Sequence, residues 1–331
     1  MQSQGPNVTD HIKSDAVQTD IARIRDGFEA GGYVANTHIA TAVYLAQMLD
    51  KPILVEGPPG VGKTELAKAT AAHLGRDLIR LQCYEGLDEA KALYEWKYGK
   101  QLLYTQVLKD KLVDLLAGTR GLDQAMERLH AFDDTFFSPE FLEPRPLLKA
   151  LQVAEGCVLL VDEVDKSDHE FEAFLLEILS DFQVSIPEIG TVAATVKPVV
   201  FLTSNNTREV GDALKRRCLH LYIAFPDQAL EMRIIEKRVP GVSASLLAQL
   251  VAFVQELRTK TIKKLPAVSE TIDWARALLL LHATELDDAM VRNTLNLLLK
   301  FEDDIDSVET EVPGMVRRAK ESAVGAVPGA R

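Results

Sequence analysis

The chain contains few cysteines, and their spacing argues against two classes of protein. Cys83, Cys157 and Cys218 are the three cysteines among 331 residues, and they form no C-x-x-C pair. The seven histidines are equally scattered, so no zinc-ligand spacing is present. We therefore expect reduced thiols that pack as small apolar side chains, and neither a disulfide framework nor a zinc site.

Long apolar runs are missing as well. Stretches such as Ala277–Leu281 contain five consecutive apolar residues, whereas a membrane-spanning helix needs about 20. The first residues, MQSQGP, lack the basic and apolar regions of a signal peptide. The sequence therefore predicts no membrane insertion and a cytoplasmic location.

Positively charged residues are also fewer than negatively charged ones. The chain has 37 Lys and Arg against 49 Asp and Glu, which gives a formal net charge of −12. Nucleic acids are bound through clustered Lys and Arg, so this balance disfavours a general nucleic-acid partner, although a local basic pore is compatible with it.

One octapeptide carries the strongest functional signal. Residues 57–64 read GPPGVGKT and match the phosphate-loop pattern G-x-x-x-x-G-K-[ST] at every fixed position. Its glycines let backbone N–H groups form a cradle for phosphate oxygens, its lysine adds a positive charge, and its threonine hydroxyl suits Mg²⁺. The residues predicted to bind ATP are Gly57, Pro58, Pro59, Gly60, Val61, Gly62, Lys63, Thr64 and Glu65.

The setting of this motif supports the prediction. An apolar strand-like run, 52–56, precedes it, and an alanine-rich helical segment, 65–74, follows it and ends at Gly75. A strand, a glycine-rich loop and a helix in this order are the arrangement that the motif requires. The segment is therefore interpreted as a phosphate-binding loop and not as an ordinary turn.

Two carboxylates follow a second apolar strand. The run 158–161 reads VLLV and is typical of a strand buried on both faces, and Asp162 and Glu163 come at its carboxyl end, where ligands bind in open α/β sheets. We expect Asp162 to hold Mg²⁺ together with Thr64, and Glu163 to polarise the attacking water. Asn205, after the next apolar run, is expected to align the same water, unless the polar residues there only form a turn.

The whole pattern predicts a parallel α/β sheet followed by a helical domain. Strands are expected at 52–56, 78–82, 158–161, 198–203 and 219–225, and helices after Pro226 at 227–237, 243–258, 269–282 and 287–300. The predicted organisation is a flexible arm over 1–20, an α/β nucleotide-binding domain over 21–225, a helical lid over 226–311 and a fraying tail over 312–331.

These residues together resemble the AAA+ ATPases, and within them the MoxR group, over roughly residues 30–300. The long spacing between Lys63 and Asp162 is similar to the helix-2 insertion of MoxR-like proteins, here about 84–140. Residues of about 182–197 resemble the hairpin that precedes the sensor strand. The aromatic segment 93–101 and the segment around Trp274 resemble the branch associated with maturation of carbon monoxide dehydrogenase and related molybdenum enzymes.

The resemblance implies a ring, usually a hexamer, that hydrolyses ATP with Mg²⁺. It also implies a partner with a von Willebrand factor A domain and a client metalloenzyme that the pair remodels or supplies with metal or cofactor. In a ring, Arg216 or Arg217 can act as an arginine finger on a neighbouring site, with Arg217 slightly favoured. Their position alone is explained equally well by the charge preference of a helix C-terminus.

One position departs from the family. Relatives carry Ser-Pro-Arg-Ala at the start of a lid helix, with the arginine as sensor 2, but this chain has Ser269–Ile272 there, so that Thr271 takes the arginine position. Arg276 lies five residues further on and off the same helical face. The sequence therefore leaves open what replaces the sensor-2 arginine.

Two other functions stay open. A nucleic-acid motor would use basic and aromatic side chains of the insertion, namely Lys97, Lys100, Lys109, Lys111, Tyr94, Trp96, Tyr98 and Tyr104. We expect these aromatic side chains to pack within the insertion instead. A nucleotide-bound scaffold without turnover is disfavoured by the intact Glu163. The predicted catalytic residues are Lys63, Glu163, Asn205, Arg216 and Arg217.

Overall fold

The computed structural model describes residues 8–107, 109, 138–187 and 189–326, in two compact units. The first unit comprises Met1–Leu45, Val55–Leu74 and His220–Arg331, and the second comprises Ala46–Leu54 and Gly75–Leu219. The described strands are β1 (Ile53–Glu56), β2 (Leu78–Gln82), β3 (Tyr94–Trp96), β4 (Leu142–Pro144), β5 (Val158–Asp162), β6 (Gln183–Ile186), β7 (Gly190–Ala193), β8 (Val199–Ser204) and β9 (Leu219–Tyr222).

The described helices alternate with the strands in the first two thirds of the chain and follow one another after that. They are α1 (Val8–Ala30), α2 (Thr37–Leu49), α3 (Lys63–Leu74), α4 (Glu89–Ala92), α5 (Tyr98–Val107), α6 (Pro146–Gln152), α7 (His169–Asp181), α8 (Asp212–Arg217), α9 (Gln228–Arg238), α10 (Ala244–Leu257), α11 (Val268–Leu280), α12 (Asp288–Leu298), α13 (Glu302–Glu309) and α14 (Val312–Ala326).

Five strands form the main sheet, in the order β2-β5-β8-β1-β9. β5 runs parallel to β2 and to β8, and every residue of β5 and β8 is buried. β9 runs alongside β1 in the same direction, because the N–H of Leu219 donates to the carbonyl of Pro52 and that of Ile223 to the carbonyl of Glu56, both at 2.8 Å. The predicted parallel α/β sheet is confirmed, and its continuous apolar runs are the strands buried on both faces.

Within the second unit, the start of the predicted insertion packs through its aromatic residues. β3 and β4 pair antiparallel with Trp96 opposite Leu142, and Trp96 lies in the main core of this unit. Tyr104 on α5 makes an edge-to-face contact with Phe141. The hairpin predicted before the sensor strand is formed by β6 and β7. Lys111, Glu188 and the part of the insertion over 110–137 lie outside the described residues.

The helical region continues further than expected. In place of the fraying tail predicted from residue 312, the structure has α14, which buries Val312, Met315, Val316 and Ala319 among the lid helices. These residues follow the i, i+3, i+4, i+7 spacing of one helix face, which the proline, the glycine and the two arginines between them conceal in the sequence. The arm predicted over 1–20 is likewise helical from Val8 onward, in a stretch free of glycine and proline up to residue 26. The domain boundaries themselves stay a prediction.

A buried ion pair holds three lid helices together. Glu231 on α9 is fully buried, and the guanidinium of Arg258, just after α10, donates to both of its carboxylate oxygens at 2.6 and 2.7 Å. Thr271 on α11 and Gln255 on α10 donate to the same carboxylate at 2.9 and 2.8 Å. Thr271, at the position compared with the sensor-2 arginine, therefore satisfies a buried charge among these helices.

Removal of one member of this pair is expected to destabilise the lid more than removal of both. Arg258→Met leaves the Glu231 carboxylate buried without its cation, at a cost of about 3–5 kcal/mol. The double variant Glu231→Leu/Arg258→Met should recover most of that loss, because Gln255 and Thr271 also donate to the backbone carbonyls of Pro226 and Ala267. Urea unfolding followed by Trp274 fluorescence, in a Trp96→Phe background, measures both. Equal losses in the two variants would contradict this account.

Candidate functional site

The loop between β1 and α3 has a backbone that only glycine adopts easily. Gly57, Gly60 and Gly62 have φ angles of +147°, +72° and +98°. A Cβ atom on Gly57 would lie 2.1 Å from the carbonyl oxygen of Ile223, so no side chain fits there. Pro59 is exposed, and Pro58 and Val61 are half-buried. The three glycines therefore give this loop the backbone conformation that a phosphate cradle requires, without side chains at those positions.

Lys63 lies at the junction of this loop and α3. It is 7% exposed, and its ammonium donates to the carbonyl oxygens of Gly57 and Pro58 at 2.6 and 2.7 Å. The lysine thus bridges the start of the loop to the first turn of the helix, where the positive end of the helix dipole also lies. A buried cation and a helix N-terminus are the two features that favour an anion at this place.

Glu65, in the first turn of α3, links this helix to the lid. Its carboxylate accepts from Lys68 at 2.6 Å and lies 3.3 Å from a guanidinium nitrogen of Arg238 on α9. Burial raises the pKa of Glu65, but the hydrogen bonds and charges of Lys68 and Arg238 outweigh it and leave the pKa below its usual value. The residue predicted to bind nucleotide therefore also forms ion pairs within its own unit.

The lid contacts the phosphate-binding loop through the start of α11. A Cβ atom on Gly60 would lie 2.5 Å from Cβ of Ala267, 2.6 Å from Oγ of Ser269 and 3.7 Å from Oε2 of Glu270. Arg276, further along α11, is exposed and donates to Asp273 at 3.3 Å. The start of α11 thus places the side chains of Ser269 and Glu270 beside the loop at Gly60.

Asp162 ends β5 in the second unit and is almost completely buried. Its carboxylate accepts from the hydroxyl of Thr203 at 2.5 Å and from the guanidinium of Arg80 at 2.6 and 3.1 Å. Cys83 donates its N–H to the backbone carbonyl of Asp162 at 2.8 Å, and burial raises the pKa of its thiol to about 12. The thiol next to the acidic group is therefore neutral and unsuited to nucleophilic chemistry.

Glu163 follows with a left-handed backbone, φ 58° and ψ 50°, which costs a non-glycine residue about 1–3 kcal/mol. Its N–H donates to the Thr203 hydroxyl at 2.9 Å. Its carboxylate accepts from the Asn205 amide at 3.2 Å, from the Gln82 amide at 2.9 Å and from the Lys166 ammonium at 2.6 Å. The structure thus brings Glu163 and Asn205 together, as the sequence predicts.

Three residues around these carboxylates were missed by sequence reasoning: Arg80, Gln82 and Thr203. Arg80 and Gln82 are two residues apart on β2, so their side chains lie on the same face of the strand. Gln82 lies opposite Asp162 in the register of β2 and β5. The alternation is visible in the sequence, but only the strand order shows that β2 is the neighbour of β5. Thr203 is part of an apolar run and gives no signal of its own.

Arg216 and Arg217 end α8 and are both exposed. Arg217 donates to the backbone carbonyl of Leu176 at 3.3 Å. Their contacts are thus with solvent and with their own unit, as expected for basic residues at a helix C-terminus. A role on a neighbouring subunit stays a prediction.

The metal that the sequence predicts is magnesium. Within the described ranges, no three or more His, Cys, Asp or Glu side chains converge as a metal-binding group. Mg²⁺ does not need such a cage, because it keeps several waters and takes one or two carboxylates together with phosphate oxygens. The Asp162 carboxylate and the Thr64 hydroxyl are oxygen donors of the kind this ion prefers.

A glycine cradle with a buried lysine, and a carboxylate–amide pair at the ends of parallel strands, define a phosphate-loop nucleotide-binding protein. The sequence profile of the AAA domain (dynein-related subfamily) matches residues 52–218, half of the chain, and the chain belongs to this family. Among the residues that the structure describes, none of the helices combines the length and apolar character needed to traverse a lipid bilayer.

Several similar staphylococcal proteins are described only as uncharacterized. They include SH1500 of Staphylococcus haemolyticus (strain JCSC1435) and SAB1265c of Staphylococcus aureus (strain bovine RF122 / ET3-1), each 24% identical over 238 residues that cover 70% of this chain and 76% of theirs. A similar solved structure is the RuvB Holliday junction branch migration motor of Thermotoga maritima, with a TM-score of 0.44 and 16% identity over 87% of this chain and 80% of that one.

The contact at Gly60 generates a matched pair of variants. Gly60 and Gly75 both have positive φ, +72° and +63°, but a Cβ on Gly75 meets nothing within 4 Å. Gly75→Ala should therefore cost only the left-handed backbone penalty of about 1–2 kcal/mol and leave ATP affinity unchanged. Gly60→Ala should also displace the loop or α11 and weaken ATP binding by about tenfold or more. Titration with a fluorescent ATP analogue measures both; equal affinities would show that the contact is irrelevant to binding.

Proposed function

We propose that the protein hydrolyses ATP to ADP and phosphate in a Mg²⁺-dependent reaction. The observation that carries the proposal is the 3.2 Å contact between the Glu163 carboxylate and the Asn205 amide, in a chain whose phosphate loop has the required glycine backbone. A carboxylate and a neutral amide at strand ends are the groups that orient a water for attack on a γ-phosphate. Lys63 and the loop N–H groups would hold the β- and γ-phosphates.

Glu163 acts as the base in this proposal. Its side chain is 30% exposed, so water reaches a carboxylate that Gln82, Asn205 and Lys166 hold in one orientation. A general base must be accessible to water and held in a fixed orientation, and the Glu163 carboxylate meets both conditions. Asp162 and Thr64 would hold Mg²⁺, which when bound neutralises the charge on the β- and γ-phosphate oxygens.

We further propose that the protein works as a ring, as members of the AAA+ group commonly do. Arg216 and Arg217 are exposed at the end of α8, so a guanidinium there is available to a neighbouring subunit. A trans arginine stabilises transition-state charge and is worth roughly 10³–10⁵ in rate where it operates. We slightly favour Arg217 as the arginine finger, and we expect the ring to be a hexamer.

A protein client is favoured by the surface of the insertion. Tyr98, Leu102 and Val107 on α5 are 65%, 61% and 72% exposed, an apolar surface of the kind that binds other proteins. We therefore propose a chaperone-like role in which hydrolysis moves the insertion against a client. The resemblance to MoxR proteins suggests a client metalloenzyme and a von Willebrand factor A domain partner.

The nucleic-acid motor is the second candidate, and the same segment weakens it. Lys97 pairs with Glu143 at 2.8 Å, and the Lys100 ammonium lies 5.5 and 5.0 Å from the ring centres of Tyr104 and Phe141. Trp96 is buried. Lys97, Lys100 and Trp96 are thus engaged within the protein, which leaves Tyr98 as an exposed ring, whereas a single-strand channel needs several cations and rings available to phosphates and bases.

Replacement of Glu163 tests the proposed reaction. Glu163→Gln keeps the size of the side chain but removes the base and one of its two acceptor oxygens, so turnover should fall by about 10²–10⁴-fold while the Kd for ATP changes by less than about twofold. Glu209→Gln, at an exposed glutamate paired with Lys215, is the matched control and should hydrolyse ATP normally. Phosphate release and equilibrium titration measure the two quantities. Wild-type turnover in Glu163→Gln would exclude Glu163 from the mechanism.

The two candidate functions predict opposite responses to added partners. A client or partner protein should raise the ATPase rate, whereas single-stranded DNA and RNA should leave it unchanged. Stimulation by nucleic acid that disappears at high salt would favour the motor, because phosphate contacts are lost as salt rises.

A further inference from the structure

Two buried polar side chains connect the ends of β5 and β8, and the proposed reaction does not use either directly. Thr203, on β8, is 1% exposed and reaches the end of β5. Asp165, in the turn after β5, is 3% exposed and reaches the loop after β8. Each strand end is thus held by a side chain from the other.

The hydroxyl of Thr203 makes one hydrogen bond as a donor and one as an acceptor at this place. It donates its proton to Oδ1 of Asp162 at 2.5 Å and accepts the N–H of Glu163 at 2.9 Å. One hydroxyl therefore fixes the carboxylate of one acidic residue and the backbone amide of the next. Because Glu163 has a left-handed backbone, its N–H needs a partner at this position, and Thr203 provides it.

Asp165 fixes the loop that carries Asn205. Its Oδ2 accepts from the N–H of Asn205 at 3.2 Å, from the N–H of Thr207 at 3.0 Å and from the hydroxyl of Thr207 at 2.6 Å. Its Oδ1 is buried and has no hydrogen-bond partner in the described part of the chain. A carboxylate buried at this cost is retained for the three bonds that it makes to one loop.

We propose that Thr203 and Asp165 are reciprocal positioning residues for ATP hydrolysis: Thr203 sets the backbone of Glu163, and Asp165 sets the backbone of Asn205. The inference rests on the proposed function. Neither side chain touches the reacting atoms; each acts through the residue that it holds. Together they keep the base and the amide at their 3.2 Å contact.

The physical reason is the sensitivity of such a site to small displacements. A misplacement of about 1 Å by a residue that does no chemistry itself can lower a rate about 10²-fold. Glu163 and Asn205 lie on different segments, so their separation depends on both segments at once. The hydrogen bonds of Thr203 with the end of β5 form one clasp, and those of Asp165 with the loop after β8 form the other. These two clasps limit changes in the separation of Glu163 and Asn205, as supporting hydrogen bonds do in other preorganised sites.

The first experiment removes only the hydroxyl of Thr203. Thr203→Val keeps the shape of the side chain, and Thr203→Ser keeps the hydroxyl. We expect kcat to fall about 10–100-fold in Thr203→Val, with KM and the Kd for ATP within about threefold of wild type, and Thr203→Ser to recover most of kcat. A merely structural role would instead lower the melting temperature and the active fraction and leave kcat per active site unchanged.

The second experiment tests the other clasp at an exposed residue, where folding is not at risk. Thr207→Val removes the 2.6 Å donor to Asp165 and should lower kcat about threefold to tenfold. The loss should vanish when Asn205 is already alanine, because the clasp acts through Asn205. Thr259→Val, at an exposed threonine whose hydroxyl donates to the Glu256 carbonyl at 2.7 Å, is the control and should retain full activity.

The outcomes separate this inference from the function on which it rests. If wild type hydrolyses ATP, Glu163→Gln does not, and both Thr203→Val and Thr207→Val keep wild-type kcat, the clasps are overturned while the ATPase stands. If wild type neither binds nor hydrolyses ATP, the proposed function fails and the clasps fail with it. If Thr203→Val does not fold, the Thr207→Val pair with Asn205→Ala decides.

Discussion

The register of β5 between β2 and β8 is the constraint on which the acidic group depends. Gln82 lies opposite Asp162 on one side, and Val161 lies opposite Leu202 on the other, so that Thr203 comes level with Asp162. All of β5 and β8 is buried, and a shift by one residue would move the buried Asp162 carboxylate away from the Thr203 hydroxyl and the Arg80 guanidinium that satisfy it. Hydrophobic burial thus fixes where the carboxylates emerge, and hydrogen bonds then fix how they point.

The sequence alone predicted much of this arrangement because its signals are local. A phosphate loop is defined by the residues within it, and a strand buried on both faces is recognised by its apolar run. Asn205 was predicted to align the same water as Glu163 because each follows an apolar strand of the predicted parallel sheet. Their contact at 3.2 Å agrees with that expectation.

The missed features depend on partners that are distant in the chain. Arg80 is 82 residues from Asp162, and nothing near Arg80 marks it as a partner. Thr271 resembles an ordinary helix residue until Glu231 and Arg258 are seen beside it. The sequence did not predict α14 for a different reason. Ala319 and Ala323 bury only small side chains, so the apolar face of this helix has few large residues and gives a weak periodic signal.

The start of α11 lies beside the phosphate loop and carries no arginine there. At Gly60 the first unit places Ser269 and Glu270 beside the phosphate loop, and the position of the expected arginine is used to satisfy a buried glutamate. In the proposed function the loop itself would bind the nucleotide, with Lys63 as the buried cation near the phosphates. No arginine of α11 is needed for that assignment.

The most direct test of the central claim is calorimetric titration of ATP, with magnesium present, into wild-type protein and into Lys63→Ala. The account predicts saturable binding of one nucleotide per chain by wild type and a loss of at least about tenfold, or 1.4 kcal/mol, in the variant. The same affinity in both proteins, or no binding by wild type, would contradict it.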